Sequence, residues 1–203
     1  AIDTGVLQNK FIIKLAYKFE SFIYKKAALL HVFTPAFYET LNTVKKVPVN
    51  KLIYIPNAAD FSLAEALVNN FDRETFRKEH ALDGQFVIIY VGAHGVANHL
   101  QQLLEAGKLL EDTNVLFILI GDGMEKKSLI KSSEEMSIKN VRFINAVPKQ
   151  EVFKYILASE MGASVLKKAD TFKTVYSNKT FDYMSCKKSI LMAIDGVSRK
   201  LVE

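Results

Sequence analysis

Five short and almost entirely apolar segments recur through the second half of the chain. They are FVIIYVG (86–92), VLFILIG (115–121), NVRFI (140–144), MGASVL (161–166) and SILMAI (189–194). Between them, apolar residues recur with helical spacing, for example at Val96, Leu100, Leu103 and Leu104, and at Phe153, Ile156 and Leu157. Continuous apolar strands that alternate with helices are typical of a parallel sheet covered on both faces. The pattern therefore predicts an α/β fold with a doubly wound, Rossmann-like parallel sheet.

The first part of the chain predicts a partial second α/β unit. Residues 10–30 have the period of an amphipathic helix, and the segments HVFT (31–34) and KLIYI (51–55) are strand candidates. The helix has an apolar face formed by Ile12, Leu15, Ala16, Phe19, Phe22 and Ile23, and a ridge formed by Lys10, Lys14 and Lys18. Two interpretations of this helix remain open: it packs on a sheet with solvated lysines, or it adsorbs to a membrane surface.

Residues 58–85 are more polar and suit a linker between two domains. A helical stretch is predicted around Arg73–His80, and a turn at Asp83–Gly84. We place the boundary near residue 60, with residues 1–60 in the first domain and 61–203 in the second. Because the chain begins with Ala rather than Met, we treat it as an excerpt of a longer protein.

Composition excludes several classes of protein. Among 203 residues, 49% are apolar and 24% charged, which is typical of a globular domain, and the net charge of +5 is too small to indicate a nucleic-acid partner. One cysteine cannot form an internal disulfide, and the four histidines lack metal-ligand spacing. No apolar run is long enough to span a bilayer. We therefore expect a cytoplasmic protein with no metal, in which peripheral contact with the inner membrane stays open.

Ligands of doubly wound sheets bind beyond the carboxyl ends of the strands, so the loops there are the candidate site. The loop GAHGVAN (92–98) has glycines that let the backbone approach an anion, and the following helix would direct its N-terminal amides at it. His94 either donates to phosphate or is solvated. The loop lacks the third glycine of the dinucleotide fingerprint, which disfavours an NAD site.

The loop GDGMEKK (121–127) is the second candidate. Gly121 would lie close to whatever occupies the cleft, and Asp122 is either an N-terminal helix cap or a ribose-binding acid of the dehydrogenase type.

The segment SNKTFDYM (177–184) carries the most distinctive chemistry. Phe181 and Met184 should face the core of a helix that Ser177 or Asn178 caps. Lys179 then lies in the first turn, where the helix dipole disfavours a cation unless an anionic ligand is present. Two interpretations remain open: Lys179 and Asp182 form an ion pair three residues apart, or Lys179 binds a diphosphate and Asp182 the ribose hydroxyls.

Four blocks of the sequence resemble family 4 of the retaining glycosyltransferases, in order and spacing. They are YVGAHGVANHL, ILIGDGMEKKSL, NVRFINAVPKQEVFKYILASEMGASVL and SNKTFDYMSCKKSIL, and KLIYIPNAAD resembles the segment that closes the first domain of that family. The similarity is greatest to the branch that builds bacterial capsule and O-antigen polysaccharides, which includes fucosaminyltransferase-like members.

The resemblance implies a metal-independent, cofactor-free transferase of the GT-B type, with two facing Rossmann-like domains. Residues 61–203 would hold a nucleotide-diphosphate sugar, UDP-linked by preference, and residues 1–60 would be the tail of the acceptor-side domain. The implied substrate contacts are Gly92, Ala93, His94, Gly95, Asn98, Gly121, Val147 within the base-packing segment 146–148, Thr174, Ser177, Asn178 and Asp182, and the implied catalytic residue is Lys179.

The chain departs from the family pattern at three places. Thr174 stands where the family has a glutamate that contacts the donor sugar. The usual arginine and lysine after the first strand fall on Ala93 and Asn98, and the usual glycine and proline of the last block fall on Lys187 and Ser189. The first two departures put the usual donor contacts in question and leave more of the charge compensation to Lys179.

The sequence therefore predicts transfer of a sugar from a nucleotide-diphosphate donor, with retention, to a growing lipid-linked oligosaccharide of a bacterial surface polysaccharide. This chain is not expected to transfer sugar by itself, since most of the acceptor side would lie upstream. Two alternatives remain: a non-catalytic glycosyltransferase-like scaffold, and an NAD-dependent Rossmann enzyme.

Overall fold

A computed structural model of the protein describes residues 8–203. The helices are α1 Lys10–Lys26, α2 Pro35–Glu39, α3 Phe61–Val68, α4 Arg73–Glu79, α5 Gln101–Leu109, α6 Lys126–Glu135, α7 Lys149–Ala158, α8 Asn178–Ser185 and α9 Val197–Val202. The strands are β1 Leu30–Val32, β2 Leu52–Tyr54, β3 Phe86–Val91, β4 Val115–Ile120, β5 Val141–Ile144, β6 Met161–Val165 and β7 Ser189–Ala193. A π turn over Thr40–Val44 continues α2, and 3₁₀ turns cover Val49–Lys51 and Asp170–Thr174.

The chain forms two compact units. The first unit comprises the residues up to Ala58 together with Lys167–Tyr176 and Ile194–Glu203, and the second comprises Ala59–Leu166 and Ser177–Ala193. Two segments of the predicted second domain thus belong to the first unit. The assignment of the units to acceptor and donor sides stays a prediction.

The second unit is the predicted doubly wound sheet. Its strands have the order β5-β4-β3-β6-β7, and every neighbouring pair is parallel. Alternate residues of β3 and β4 enter opposite cores: Val87, Ile89 and Val91 pack with α7 and α8, whereas Ile88 and Tyr90 pack with α5 and α6. Each of the five predicted apolar segments forms a strand, and the three inner strands β4, β3 and β6 are the most deeply buried, as burial on both faces requires of a continuous apolar run.

Residues 61–85 are not a linker, which corrects the sequence prediction. They form α3 and α4, which belong to the second unit and pack against α7. Ala64 and Phe76 are buried in the same core as α7. Asp60 and Asp72 cap the two helices by accepting from Ser62 N and Thr75 N, at 3.0 Å in both cases. The polar composition of this segment reflects these caps and the exposed helix faces.

In the first unit, β1 and β2 pair in parallel, as the two strand candidates suggested. Thr34 caps α2 with Pro35 in its first turn. Helix α1 ends at Lys26, and its side chains stay largely accessible: Phe11 is 76% and Phe19 62% exposed. Packing of its apolar face on a sheet is therefore not observed within residues 8–203. No helix in that range is long and apolar enough to cross a membrane.

A cluster of ion pairs lies at the amino-terminal edge of the larger sheet. Arg77 on α4 is buried and donates to the carbonyl oxygens of Ala158 at 2.6 Å, Leu82 at 2.7 Å and Gln85 at 2.7 Å, and to Glu160 at 3.0 Å. Glu160 also accepts from Val87 N at 2.7 Å. This one carboxylate therefore joins α4 to the starts of β3 and β6.

The Glu160 cluster predicts acid-sensitive stability. Burial raises the pKa of Glu160, but the hydrogen bonds from Val87 N and Arg73, with the charges of Arg77 and Arg73, outweigh it and hold the pKa below 4.5. A lowered folded-state pKa adds stability that is present above the unfolded value and is lost as the pH falls through the folded value. Urea titrations at pH 7 should show a loss on the order of 2 kcal/mol for Glu160→Gln.

As the pH falls through the lowered folded-state pKa of Glu160, the difference in stability between Glu160→Gln and the parent should shrink, because the parent side chain then loses its charge as well. The matched control is Glu135→Gln, because Glu135 is exposed and paired with Lys131 at 3.5 Å. A loss for Glu160→Gln that does not change with pH would contradict the ionic role of Glu160.

Candidate functional site

The sheet of the second unit changes direction between β3 and β6. From β3 the chain adds β4 and β5 on one side, then crosses to add β6 and β7 on the other. β3 and β6 share two registered pairs, Ile88 with Met161 and Ile89 with Gly162, near the start of β6. Strands that diverge at a switch point leave a crevice at their carboxyl ends, where ligands of open α/β sheets bind. The candidate site lies in this crevice.

Tyr183 of α8 is wedged where the two strands separate. Its side chain is fully buried, and its hydroxyl accepts from Val91 N at 3.1 Å and lies within 3.1 Å of Ala163 O and 3.2 Å of Ile89 O. A Cβ on Gly162 would lie 2.3 Å from the Tyr183 ring, so only glycine leaves room for the ring. Tyr183 thereby fixes α8 against the sheet.

The sequence prediction placed Met184 in the core beside Phe181. Phe181 is buried, but Met184 is only partly so, and the fully buried neighbour is Tyr183. Sequence reasoning missed Tyr183, because the helical spacing was read from Phe181 and Met184 and placed those two residues in the core.

The loop Gly92–Asn98 is held by backbone hydrogen bonds to the loop that follows β4. His94 N donates to Asp122 O at 2.8 Å, and Glu125 N donates to His94 O at 2.9 Å. Tyr90 donates from its hydroxyl to Ala93 O at 2.9 Å, and Asn98 N closes a turn on Gly95 O at 2.9 Å. Helix α5 begins only at Gln101, so its N-terminal amides do not directly follow the glycines as expected.

His94 is fully buried, so the expectation of a solvated imidazole is wrong. Neither ring nitrogen has a hydrogen-bond partner among residues 8–203. Burial, with the nearby charge of Lys126, lowers the pKa of His94 to about 4, and the charge of Asp122 offsets part of this effect. The ring is therefore neutral at pH 7.

Gly121 has a conformation and a neighbour that exclude any side chain. Its φ is +149°, and a Cβ would lie 1.9 Å from Gly92 O. The close approach predicted for Gly121 is thus made to the neighbouring loop. Asp122 does not cap α6: its carboxylate accepts from Gly123 N at 2.7 Å, and Glu125 holds the cap position.

Lys126 is a further residue of this edge that sequence reasoning missed. Its buried ammonium donates to Gly121 O at 2.7 Å, Ile144 O at 3.0 Å and Asn145 Oδ1 at 2.8 Å. It therefore ties the carboxyl end of β4 to that of β5, where the loop carrying Val147 begins. Val147 itself packs, partly buried, against the core that includes α7.

Helix α8 begins at the crevice with Ser177 at its cap position. The Ser177 hydroxyl makes no capping bond and accepts from Lys179 Nζ at 3.2 Å, while Asn178 is exposed. A Cβ on Gly92 would lie 3.3 Å from Lys179 Cε, which places Lys179 directly beside the first glycine loop.

The environment of Lys179 favours an anion. Its Nζ lies 4.9 Å from the centre of the Tyr90 ring, and no ion pair to Lys179 is formed by the described carboxylates. Burial lowers the pKa of Lys179 to about 8. A cation in the first turn of a helix is also opposed by the helix dipole. An anionic ligand in the crevice would reverse both unfavourable effects.

Asp182 does not pair with Lys179, which excludes the simple ion-pair interpretation in this structure. It lies 3.6 Å from Lys149 Nζ at the start of α7. Burial raises the pKa of Asp182, Lys149 lowers it, and the charge of Asp60 raises it further. Asp182 is therefore a partly buried acceptor, and its partner Lys149 is a cation whose side chain is 59% exposed.

Thr174 lies in the first unit. Its hydroxyl donates to Thr171 O at 2.8 Å, and its carbonyl oxygen accepts from the Thr34 hydroxyl. The remaining predicted contacts, from Gly92 to Asp182, lie in the second unit at the carboxyl edge of its sheet or on α8. Within residues 8–203, no cluster of three or more acidic, histidine or cysteine side chains has the arrangement of a metal site.

Known proteins match the chain in both sequence and fold. Residues 72–167 match the family described as glycosyl transferases group 1. The putative colanic acid biosynthesis glycosyl transferase WcaI of Escherichia coli K12 is 27% identical over 100 residues, which are 49% of this chain and 24% of that protein. The segment matched to that family carries the loops that follow β3, β4 and β5.

Two solved structures have a similar fold. HepE from Anabaena, in complex with UDP and glucose, superposes with a TM-score of 0.75 at 16% identity, over 97% of this chain and 52% of that one. WaaG, a glycosyltransferase involved in lipopolysaccharide biosynthesis, gives 0.72 at 15% identity, over 96% and 54%. The fold resembles that of GT-B glycosyltransferases, and the chain spans about half the length of these structures.

Proposed function

We propose that this chain is the donor-binding part of a retaining glycosyltransferase of family 4, similar to the fucosaminyltransferase-like branch. The second unit would bind a nucleotide-diphosphate sugar in the crevice between β3 and β6, and the first would belong to the acceptor side. The observation that carries the proposal is Lys179, a half-buried first-turn cation beside Gly92 that lacks a carboxylate partner within the described structure.

The diphosphate is assigned to Lys179, the backbone of Gly92–Gly95 and the first amides of α8. These donors are fixed by the fold before substrate binds, so they stabilise the charge that develops on the leaving diphosphate without reorganising. Charge compensation by Lys179 is the reason to propose transfer without a metal or a cofactor.

The nucleoside is assigned to Asp182 and Val147. Asp182 would accept from the ribose hydroxyls and exchange its contact with Lys149 for them, while the segment 146–148 would pack against the base. His94 supports the Gly92–Gly95 loop through its backbone bonds to Asp122 and Glu125, and its neutral ring faces the protein interior. Asn98, Ser177 and Asn178 complete the proposed polar lining.

A UDP-linked donor is favoured because HepE, a structural neighbour, was solved with UDP-glucose. The names of WcaI and WaaG, which refer to colanic acid and lipopolysaccharide, support a growing, lipid-linked oligosaccharide of a bacterial surface polysaccharide as acceptor. Such an acceptor would place the enzyme at the cytoplasmic face of the inner membrane. Helix α1, with exposed apolar side chains and a lysine ridge, is the candidate for peripheral contact.

A thermal-shift screen tests the nucleotide assignment. UDP, GDP, CDP, ADP and NAD are each added to the chain, since a ligand that binds only the folded state raises the melting temperature. UDP should give the largest shift and NAD none. A shift with NAD alone would favour the dehydrogenase alternative, and no shift with any of the five would contradict the proposal.

A non-catalytic, glycosyltransferase-like scaffold is the second candidate, and Thr174 favours it. Threonine has no carboxylate, and the hydroxyl of Thr174 donates its proton to Thr171 O at 2.8 Å. A longer protein that binds UDP-sugar but neither hydrolyses nor transfers the sugar would establish this candidate.

A further inference from the structure

Lys126 is a buried cation that the proposed transfer reaction does not use. Its ammonium has three oxygen partners, all neutral: two backbone carbonyls, of Gly121 and Ile144, and the side-chain amide of Asn145. No carboxylate lies within ion-pair distance of it among the residues that the structure describes. Burying a charge without a counter-charge costs folding free energy. We therefore expect the Lys126 side chain to serve the site through its electrostatic field or its contacts.

The contacts of Lys126 reach both loops that the nucleotide would touch. It holds Gly121 O, and Gly121 is in contact with the carbonyl of Gly92. It also holds Ile144 O and Asn145 Oδ1, immediately before the loop of Val147. The Lys126 ammonium therefore holds the glycine loops on one side and the start of the loop that carries Val147 on the other.

The charge of Lys126 is also close enough to act on the first glycine loop. Two charged groups influence the buried ring of His94, namely Lys126 and Asp122, and they act in opposite directions. Because Asp122 is exposed and its carboxylate is engaged with Gly123 N, its charge is the more strongly screened of the two. The net field that Lys126 adds inside the loop is positive.

We propose that Lys126 is a positioning residue that acts on a bound diphosphate through the loops 92–95 and 121–125 and through its uncompensated charge. It does not touch the nucleotide. This role rests on the proposed function, which supplies the diphosphate ligand. It adds the start of α6 to a proposed site that otherwise lies on the α8 side of the crevice. It also predicts that affinity depends on Lys126 more strongly as the number of phosphates increases.

Calorimetric titrations of UDP, UMP and uridine into the 203-residue chain test this role. For Lys126→Met, which keeps the length of the side chain but not its charge, the dissociation constant of UDP should rise about tenfold, that of UMP about threefold, and that of uridine less. Lys126→Arg should recover most of the UDP affinity. Lys127→Met, at the exposed neighbouring position, is the matched control and should change none of the three.

An equal loss of affinity for the three ligands would mean that Lys126 only holds the loops in place, and it would overturn the electrostatic role. No loss at all would overturn both roles. If Lys126→Met does not fold, Lys126→Gln takes its place with the same expectations, because its amide retains donors for the same oxygens.

A second readout does not need a ligand. The pKa of the His94 ring, followed by NMR, is expected to rise from about 4 in Lys126→Met and to stay unchanged in Lys127→Met. If the parent binds no nucleotide but this shift is found, the proposed function fails while the field of Lys126 is established. If the parent binds UDP and the shift is absent, the electrostatic role of Lys126 fails alone.

Discussion

Replacing Lys179 by Met is expected to weaken UDP binding by about 100-fold, or about 2.7 kcal/mol, without destabilising the fold. Lys179 has no carboxylate partner in the described part of the chain, so the free protein loses no ion pair on substitution. The ammonium donates to Ser177 Oγ at 3.2 Å and lies 4.9 Å from the centre of the Tyr90 ring. Methionine keeps the length of the side chain but not its charge.

The same substitution is expected to raise the free energy of unfolding by on the order of 1 kcal/mol at pH 7, because it removes a half-buried charge that has no carboxylate partner in the described residues. The folded-state pKa of about 8 lies below the ordinary 10.5, so the charge disfavours the folded state at neutral pH. That effect should be complete below pH 8 and disappear as the pH rises towards 10.5.

Urea titration and UDP calorimetry on one pair of proteins measure both effects of Lys179→Met. The control is Lys131→Met on α6, whose side chain is 75% exposed. A residue kept for folding would lose stability on substitution, whereas a residue kept for a ligand would lose affinity and gain stability. Loss of stability together with unchanged UDP affinity would remove Lys179 from the site.

Gly121→Ala is expected to destabilise the chain by roughly 3–5 kcal/mol, the largest stability effect of any substitution at the site. Alanine would be strained at a φ of +149°, and its Cβ would lie 1.9 Å from Gly92 O, a backbone atom that cannot move without displacing the first loop. Relief of the clash therefore requires the two glycine loops to separate.

Gly95→Ala is the matched control for Gly121→Ala, since nothing lies within 4 Å of a Cβ built on Gly95. Its effect on the urea midpoint should be small. If both glycines tolerate alanine equally, the close packing of the loops 92–95 and 121–123 is not what fixes the site.

The second unit was largely predictable because its order is encoded in continuous apolar runs. A strand buried on both faces has no polar positions, so β3 and β4 are evident from six apolar residues each. Helix α3 was missed because only Ala64 is buried on it, and its flanks are polar. A half-exposed helix that begins at a single Asp cap is difficult to distinguish from a linker.

The candidate site was predictable in its loops but not in its contacts. Glycine spacing indicated the loops at Gly92 and Gly121, but not that these loops pack against each other. The burial of Lys126 could have been predicted from helical spacing, because Lys126 lies three residues before the buried Leu129 and therefore on the inner face of α6. The partner of Asp182 could not be predicted, because Lys149 is 33 residues away in sequence and is brought to α8 only by the sheet order.

The pKa of Lys179, measured by NMR on isotopically labelled lysine in the free chain and with saturating UDP, tests the central claim most directly. We expect a pKa of about 8 in the free protein and an upward shift when the diphosphate lies beside the ammonium. A value that stays near the ordinary 10.5 in the free chain, or that does not move when UDP binds, would contradict the assignment of Lys179 to the diphosphate.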